Sequence, residues 1–428
     1  MTLRMKWAGV LGIGAIAIAS PAAASPQEVL RFGHRAIALG TTGAASAEGA
    51  DAVYANPALL SQARAMSLQI GLQGAYFHLA ADGPGMPGRV DYSNLRASTI
   101  GALLPLPFTG ALKDRIAIGL GFLTPLDVVV RGRILFPEKP QFLVADRVQS
   151  VAAQLALGVD LGHGVRLGAG FMALAALKGS VLVSTDASGR IGTLVQDTLV
   201  ASFAPLAGAS YEFADASYRV GLAFRGQLVG RFNVVITADN LGTITIPPLN
   251  ISGVAQYDPW QLALEFARIK GPWRGAVGAS YKHWPAYPGA VEATVRCQDA
   301  PDPSEGCAAP VPPKPGYRPV VAPRVGVERV FAVGKNDIAV RAGYSFEPSP
   351  APEQTGPRNY FDNHRSILSA GWGVRLAAAP LGFDGFAQVQ LLHPRSHEKH
   401  QGDGAPTAGT VETHGFIAAA GVAATARF

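Results

Sequence analysis

The sequence predicts an all-β chain: a transmembrane antiparallel β-barrel of about fourteen strands, with an N-terminal hatch, or plug, inside its lumen. Three observations carry this reading. Apolar residues alternate with small or polar ones in many short segments instead of gathering into long runs. Short turns and long loops join those segments in alternation. The chain also opens on a leader of secretory form.

The leader comes first. Arg4 and Lys6 precede a short apolar run from Ala8 to Ala19, and Ala22-Ala23-Ala24 stand before Ser25. A basic start, a short apolar stretch and small residues make residues 1–24 a signal peptide, removed on export. The apolar run falls short of the ~20 residues that span a bilayer as a helix. Beyond it, composition narrows the class. Hydrophobic residues make up 48% of the chain and charged residues 15%, against about 25% charged in ordinary soluble domains. The longest unbroken apolar stretch after the leader, Leu167 to Leu177, is well below the roughly 18 residues of a helical span. A closed barrel satisfies its backbone in lipid while giving so weak a signal per segment. The formal charge of +6 becomes +4 once Arg4 and Lys6 are removed. That diffuse excess suits anionic lipid headgroups and makes no case for nucleic acid.

Residues 25–65 break the alternation. Ala36–Ala58 is rich in Ala, Gly, Thr and Ser, punctuated by Asp51, Asn56 and Pro57. Its low charge argues against a solvated tail, and its small side chains suit short helical pieces and turns packed in a lumen. The reading is therefore a hatch over 25–65 and a barrel over 66–428.

With period two, the strand candidates are Met66–Leu79, Tyr92–Leu104, Arg115–Leu126, Val148–Leu161, Val165–Leu177, Leu199–Phe213 and Tyr218–Ile236. They continue as Ile251–Ile269, Trp273–Tyr287, Val320–Ala332, Asp337–Phe346, His364–Leu376, Asp384–Leu392 and Val411–Phe428. Leu68, Ile70, Leu72 and Tyr76 share one face against Gln69, Gly71 and Gln73. Val220, Leu222 and Phe224 oppose Arg219, Gly221 and Arg225; Ile338, Val340 and Ala342 oppose Arg341 and Gly343. One face suits lipid tails and the other a lumen. Connections after even-numbered strands are short, as in Gly162-His163-Gly164 and Gly334-Lys335-Asn336. Those after odd-numbered strands are long, as in Val128–Arg147, Pro288–Pro319, Glu347–Asn363 and Pro394–Thr410. This parity predicts a bacterial outer-membrane barrel, with lipopolysaccharide among its lipid neighbours and both termini in the periplasm. The terminal Phe428 stands on the lipid-facing side of the last strand, as a signal to the barrel-assembly machinery would. Cys297 and Cys307 lie close together in a Pro-rich loop of an exported chain, and are expected to form one disulfide.

The segment Gly33-His34-Arg35-Ala36-Ile37-Ala38-Leu39-Gly40, then Thr42-Gly43-Ala44-Ala45-Ser46-Ala47 and Asp51-Ala52-Val53-Tyr54-Ala55-Asn56-Pro57-Ala58, resembles the hatch signature of the FadL-type long-chain fatty-acid transporter family. Further similarity lies in Tyr257-Asp258-Pro259, Tyr281-Lys282-His283-Trp284, Pro323-Arg324-Val325-Gly326, Arg341-Ala342-Gly343-Tyr344 and Asp362-Asn363-His364-Arg365. The resemblance implies a fourteen-stranded barrel plugged by a hatch, importing fatty acids or aromatic hydrocarbons. It also implies an inward kink in the third strand that opens the wall sideways. The third strand there reads Gly119 to Leu126, and Pro125 either breaks the ladder at that opening or simply ends the strand at its loop.

An apolar acid needs apolar lining for its chain and a donor for its head. Candidate lining is Phe77, Phe122 and Leu123, with Phe136 and Phe142 (beside Leu135 and Leu143) forming a greasy groove on the loop after the third strand. The rival for the loop residues is self-packing. Arg225 and Arg341 are the inward cations for a carboxylate, or else members of lumenal salt bridges. His393, His397 and His400 read as a solvated loop without a metal. No Gly-x-Ser-x-Gly, P-loop or dinucleotide fingerprint is present, so neither catalysis nor a cofactor has support. The leading function is passive uptake of long-chain fatty acids or similar molecules. A hydrocarbon channel and a structural or adhesive surface barrel are the alternatives.

Overall fold

The computed structural model describes residues 29–126, 130–131, 138–145, 149–185, 191–213, 215–239, 249–285, 287, 292–295 and 315–428. The expected leader, Phe136, Cys297 and Cys307 lie outside the described residues.

Fourteen strands form a closed antiparallel barrel. They are β1 (Ser67–Asp82), β2 (Leu95–Pro105), β3 (Ile116–Pro125), β4 (Ala152–Gly162), β5 (Val165–Thr185) and β6 (Ile191–Phe213). β7 runs as Tyr218–Arg225 and Leu228–Asp239, and β8 as Leu249–Asp258 and Gln261–Lys270. Then follow β9 (Trp273–Lys282), β10 (Val320–Val333), β11 (Asn336–Glu347), β12 (Arg365–Arg375), β13 (Leu381–Lys399) and β14 (Gly409–Arg427). Closure is made by β1, which pairs with β2 on one edge and with β14 on the other, from Ser67↔Arg427 to Asp82↔Glu412. A closed sheet leaves no unpaired edge for lipid to face. No helix among the described residues is long and apolar enough to cross a membrane.

Alternation follows the pleat. Leu68, Ile70, Leu72 and Tyr76 are exposed on the outside, whereas Gln69, Gln73, Ala75 and Phe77 are buried inside. Among the described residues, a broad outward band of Leu, Val, Phe and Trp faces away from the lumen. So much exposed apolar surface on a folded chain is a lipid-facing surface. The short turns lie where turn chemistry puts them: Gly162, His163 and Gly164 all adopt positive φ between β4 and β5.

Four strands depart from the sequence pattern. β13 continues to Lys399 and takes in residues expected to be loop. β5 and β6 extend as one hairpin to Thr185 and Ile191. β7 is interrupted at Gly226-Gln227: the Gly226 N–H donates to the Pro205 carbonyl at 2.8 Å, but Pro205 has no N–H to return the bond. The β6–β7 ladder ends there, and the second part of β7 pairs in parallel with β5, from Asn233↔Lys178 to Asp239↔Ser184.

The lumen holds residues 29–62. They form α1 (His34–Ala38), a 3₁₀ turn over Gly49–Asp51, α2 (Ala52–Ala55) and a 3₁₀ helix over Pro57–Gln62. Asn56 caps the last of these, its Oδ1 accepting from the Ala58 N–H at 3.0 Å, with Pro57 pre-set in the first helical position.

Candidate functional site

The wall makes room for the hatch by omitting side chains. A Cβ added to Gly221 would lie 1.8 Å from the Ala44 carbonyl oxygen, and one on Gly343 1.9 Å from the Gly40 nitrogen. Gly208 abuts Asn56, Gly168 abuts Pro57 and Ala58, and Gly101 abuts Ala50. Hydrogen bonds then fix the fit. Glu265 of β8 accepts from the backbone N–H groups of Gly43 at 2.7 Å, Ala44 at 3.0 Å and Ala45 at 3.1 Å, and from the Ser46 hydroxyl at 2.6 Å. Asn56 donates through Nδ2 to the carbonyls of Ala44 and, at 3.1 Å, Ala209. Of the residues that punctuate the hatch segment, Asn56 and Pro57 therefore seat it against β5 and β6.

A charged lock lies nearer the short turns. Arg35 of α1 grips Glu328 of β10 through two bonds, at 3.0 and 2.9 Å, and Arg341 of β11 reaches the same carboxylate at 2.6 Å. Arg341 also donates to Asp384 at 2.6 Å and to the Trp372 carbonyl at 2.9 Å. Arg341 is therefore neutralised on both sides, which corrects its reading as a free anchor for a ligand head. Glu48 binds Arg274 and, at 3.0 Å, Arg375. Against the effect of its own burial, Arg35, Arg274 and Arg375 hold the Glu48 carboxyl down to about 2. Asp51 shows the reverse: burial, then the charge of Asp384, push it up to about 6, although it accepts from the Ala36 N–H at 3.2 Å.

Toward the long loops the lumen carries an apolar column, beside a buried ion pair of Lys282 with Glu347. Phe77, Leu123 and Phe142 join one buried cluster with Val29, Leu30 and Phe361. Aromatic centroids step from Phe77 to Tyr92 at 5.8 Å, to Phe142 at 6.5 Å and to Phe361 at 5.9 Å. Two loops are stitched over this column, since Gln141-Phe142 pairs in parallel with Tyr360-Phe361. Phe142 is thus 0% exposed, inside a lid and not on an open groove. Phe122 faces outward and is 36% exposed, because its neighbours Gly121 and Leu123 take the inward parity; its assignment as lining is corrected. Pro125 pairs with Ala97 as the last residue of β3, and neither ladder of that strand shifts register. The ladder from β3 to β4 runs from Ile116↔Val159 to Leu123↔Ala152 and stops short of Thr124 and Pro125. His397 is buried too, its ring 4.9 Å from Phe361 and its Nδ1 accepting from the Gln354 N–H, so it is no solvated loop residue.

Arg225 lies between these regions, on a cavity beside the hatch that is also lined by Arg31, Tyr54, Gln261, Ser280 and Arg324. Its guanidinium sits 4.2 Å from the Tyr54 ring centroid and donates to the Tyr54 carbonyl at 3.3 Å and to Gln261 Oε1 at 2.8 Å. Its Nε has no acceptor, and no carboxylate among the described residues pairs with it. Glu265, Glu328, Asp384, Tyr54 and Gln261 were not singled out from the sequence. Glu265 was detectable, as an acid on the inward parity between Leu264 and Phe266.

No family model matches the chain, and no curated protein matches it. Solved structures do. A FadL homologue of Pseudomonas aeruginosa superposes with TM-score 0.62 at 15% identity, covering 96% of this chain and 99% of that one. The toluene transporter TodX of Pseudomonas putida gives 0.57 at 14%, over 93% and 98%. The monoaromatic hydrocarbon channel CymD gives 0.54 at 14%, over 92% and 97%. At these identities the likeness is one of fold.

Proposed function

We propose that this chain lies in the bacterial outer membrane and lets hydrophobic small molecules with an anionic head, long-chain fatty acids foremost, pass inward without an energy source. The observation that carries this reading is Arg225. Arg35, Arg166, Arg219, Arg274 and Arg341 at the hatch junction are matched to carboxylates, whereas Arg225 has neutral oxygens and an aromatic face. A carboxylate arriving there gains a charge-assisted bond, and it competes with the Tyr54 carbonyl for the same guanidinium. The acyl chain would then extend along the apolar column of Phe77, Leu123 and Phe142, with the lid pairing of Phe142 to Phe361 opening to admit it. The FadL homologue among the structural neighbours supports the same class of cargo. In this reading residues 1–24 are cleaved as a signal peptide, and Phe428, exposed at the barrel's outer edge, is read by the assembly machinery.

A hydrocarbon channel is the second reading. It draws on the packed aromatic group Tyr257, Trp284, Tyr287 and Tyr317, and on neighbours named for toluene and monoaromatic hydrocarbons. Uptake into proteoliposomes tests the proposal itself. Oleate should enter faster than into protein-free vesicles, with no ion gradient applied. Equal rates with a folded barrel would sink the uptake assignment.

A further inference from the structure

The outer surface carries cations in one place that the transport reading does not use. Arg268 and Lys270 of β8 and Arg329 of β10 all stand on the outward parity of their strands, at the short-turn end. Trp273 of β9 lies between them, directly opposite Lys270 on one side and Arg329 on the other. The Arg329 guanidinium is sandwiched 4.9 Å from the Trp273 ring and 4.6 Å from the Phe331 ring. Arg268 lies 5.8 Å from the ring of Tyr218.

None of the three cations forms an ion pair with a carboxylate among the described residues. Asp337, at the start of β11, faces the lumen beside Arg341, and Asp215 sits in the β6–β7 turn. Outward positions at the same end of other strands are apolar: Leu68 and Ile70 on β1, Leu104 on β2, Leu161 on β4, Leu167 on β5 and Phe383 on β13. An aromatic belt alone explains Trp273 and Phe331, but not three uncompensated charges gathered on adjacent strands.

Cations at this level reach the interface by extending along their own apolar stems. Two aromatic rings hold the exposed Arg329 guanidinium beside the wall. Lys270 and Arg329 are two strand spacings apart, roughly 10 Å, which is the scale of one lipid headgroup and its phosphate. We propose that this patch binds an anionic glycerophospholipid of the leaflet at the short-turn end, with Arg329 on the phosphate and Arg268 and Lys270 completing the charge match. Such a lipid would sit beside β8–β10 as a resident partner, whatever cargo the lumen takes.

Trp273 reports on the site. In the full barrel with Trp260→Phe and Trp372→Phe, the remaining tryptophans of the barrel are Trp273 and the buried Trp284. Quenching by phosphatidylglycerol with brominated acyl chains should exceed quenching by the phosphatidylcholine equivalent, with about a ten-fold preference in apparent affinity. Arg329→Gln alone should cut that preference about five-fold, and Arg268→Gln, Lys270→Gln and Arg329→Gln together should abolish it. Heat-modifiable migration on gels confirms that each variant is folded; the single variant decides the matter if the triple one fails to assemble. Equal quenching by the two lipids would overturn the proposal, as would a preference that survives in the folded variants. So would stronger displacement by lipid A than by unbrominated phosphatidylglycerol, which would mark the patch as a lipopolysaccharide site.

Discussion

The two halves of the lumen hold their contents by different physics. Toward the short turns, the hatch meets the wall through buried charge, with Arg35, Glu328, Arg341 and Asp384 in one chain of contacts and Glu265 gathering three backbone N–H groups. Toward the long loops, Phe77, Leu123, Phe142 and Phe361 pack as an apolar column, with the Lys282–Glu347 pair buried at the same end. The contrast teaches that charge inside this barrel is chiefly structural. A buried ion left without its partner costs several kcal/mol, so the lock holds only as a set. Arg225, where the halves meet, pairs with no carboxylate among the described residues and is the cation assigned to a ligand in the proposed function.

The largest effect should come from removing one side of the comparison. Deleting Gly33 to Leu59 takes away the hatch partners of Glu265 and Glu328 and most of those of the wall glycines, and leaves an aqueous bore. Single-channel conductance in planar bilayers should rise several-fold. Unchanged conductance from a folded barrel would mean that the segment is not a plug.

A smaller break comes from filling one wall glycine. Gly221→Val forces its side chain into the Ala44 carbonyl, whereas Gly275→Val, on the outward face, meets nothing nearer than 3.9 Å. Overpacking typically costs about 1–3 kcal/mol. The first variant should raise the frequency of channel openings about ten-fold, and the second should leave it unchanged. Equal behaviour of the two would remove the steric account of hatch seating.

How much of this was legible depends on range. Period two is a local property, so Leu68, Ile70 and Leu72 announced their face, and Gly162-His163-Gly164 announced its turn. The lock is not local: Arg35 and Glu328 are 293 positions apart, and Gly43 and Glu265 222. Nothing in either neighbourhood names the other. Arg225 and Arg341 share the inward parity and were indistinguishable until the register put Glu328 opposite Arg341. Phe122 was misjudged for a related reason, since which face of Gly119–Pro125 looks inward follows from what packs against its glycines, Gly121 being met by the hatch residue Phe32. The interruption of β7 was encoded on its neighbour, in Pro205, and becomes visible only when Pro205 is set against Gly226.

Hatch docking should also depend on pH, with two opposed contributions. Asp51 has its carboxyl raised from 3.8 to about 6 on docking, so its contribution is fully present below pH 3.8 and is lost as pH rises through 6. The shift corresponds to about 3 kcal/mol at most. Glu48, held at about 2, contributes above its ordinary 4.5 and loses that contribution as pH falls toward 2. Docking is therefore tightest between about pH 3.8 and 4.5, and it weakens as pH rises toward 6. Amide exchange of Ala36–Leu39 should be slower at pH 5.5 than at pH 7.5 after correction for the intrinsic rate. Asp51→Asn should flatten that difference; a pH trend unaltered in the variant would exclude Asp51 as its source.

The smallest effect concerns a loop remote from both halves of the lumen. If Cys297 and Cys307 form the expected bridge, reduction should add two protons to the intact mass, without a dimer and without change in barrel assembly. Free thiols in freshly isolated, unreduced protein would count against it.

The central claim is that Arg225 answers to a ligand and Arg341 to the hatch, and one paired measurement tests it. Binding of oleate and of an uncharged alkane of equal length is measured in Arg225→Ala and in Arg341→Ala, alongside channel conductance. A charge-assisted hydrogen bond contributes about 1.5–3 kcal/mol. Arg225→Ala should therefore weaken oleate at least about ten-fold, spare the alkane and leave conductance low. Arg341→Ala, which strands Glu328 and Asp384, should raise conductance and affect both ligands alike. The same loss of oleate and alkane in Arg225→Ala, or an oleate-selective loss in Arg341→Ala, would contradict the account.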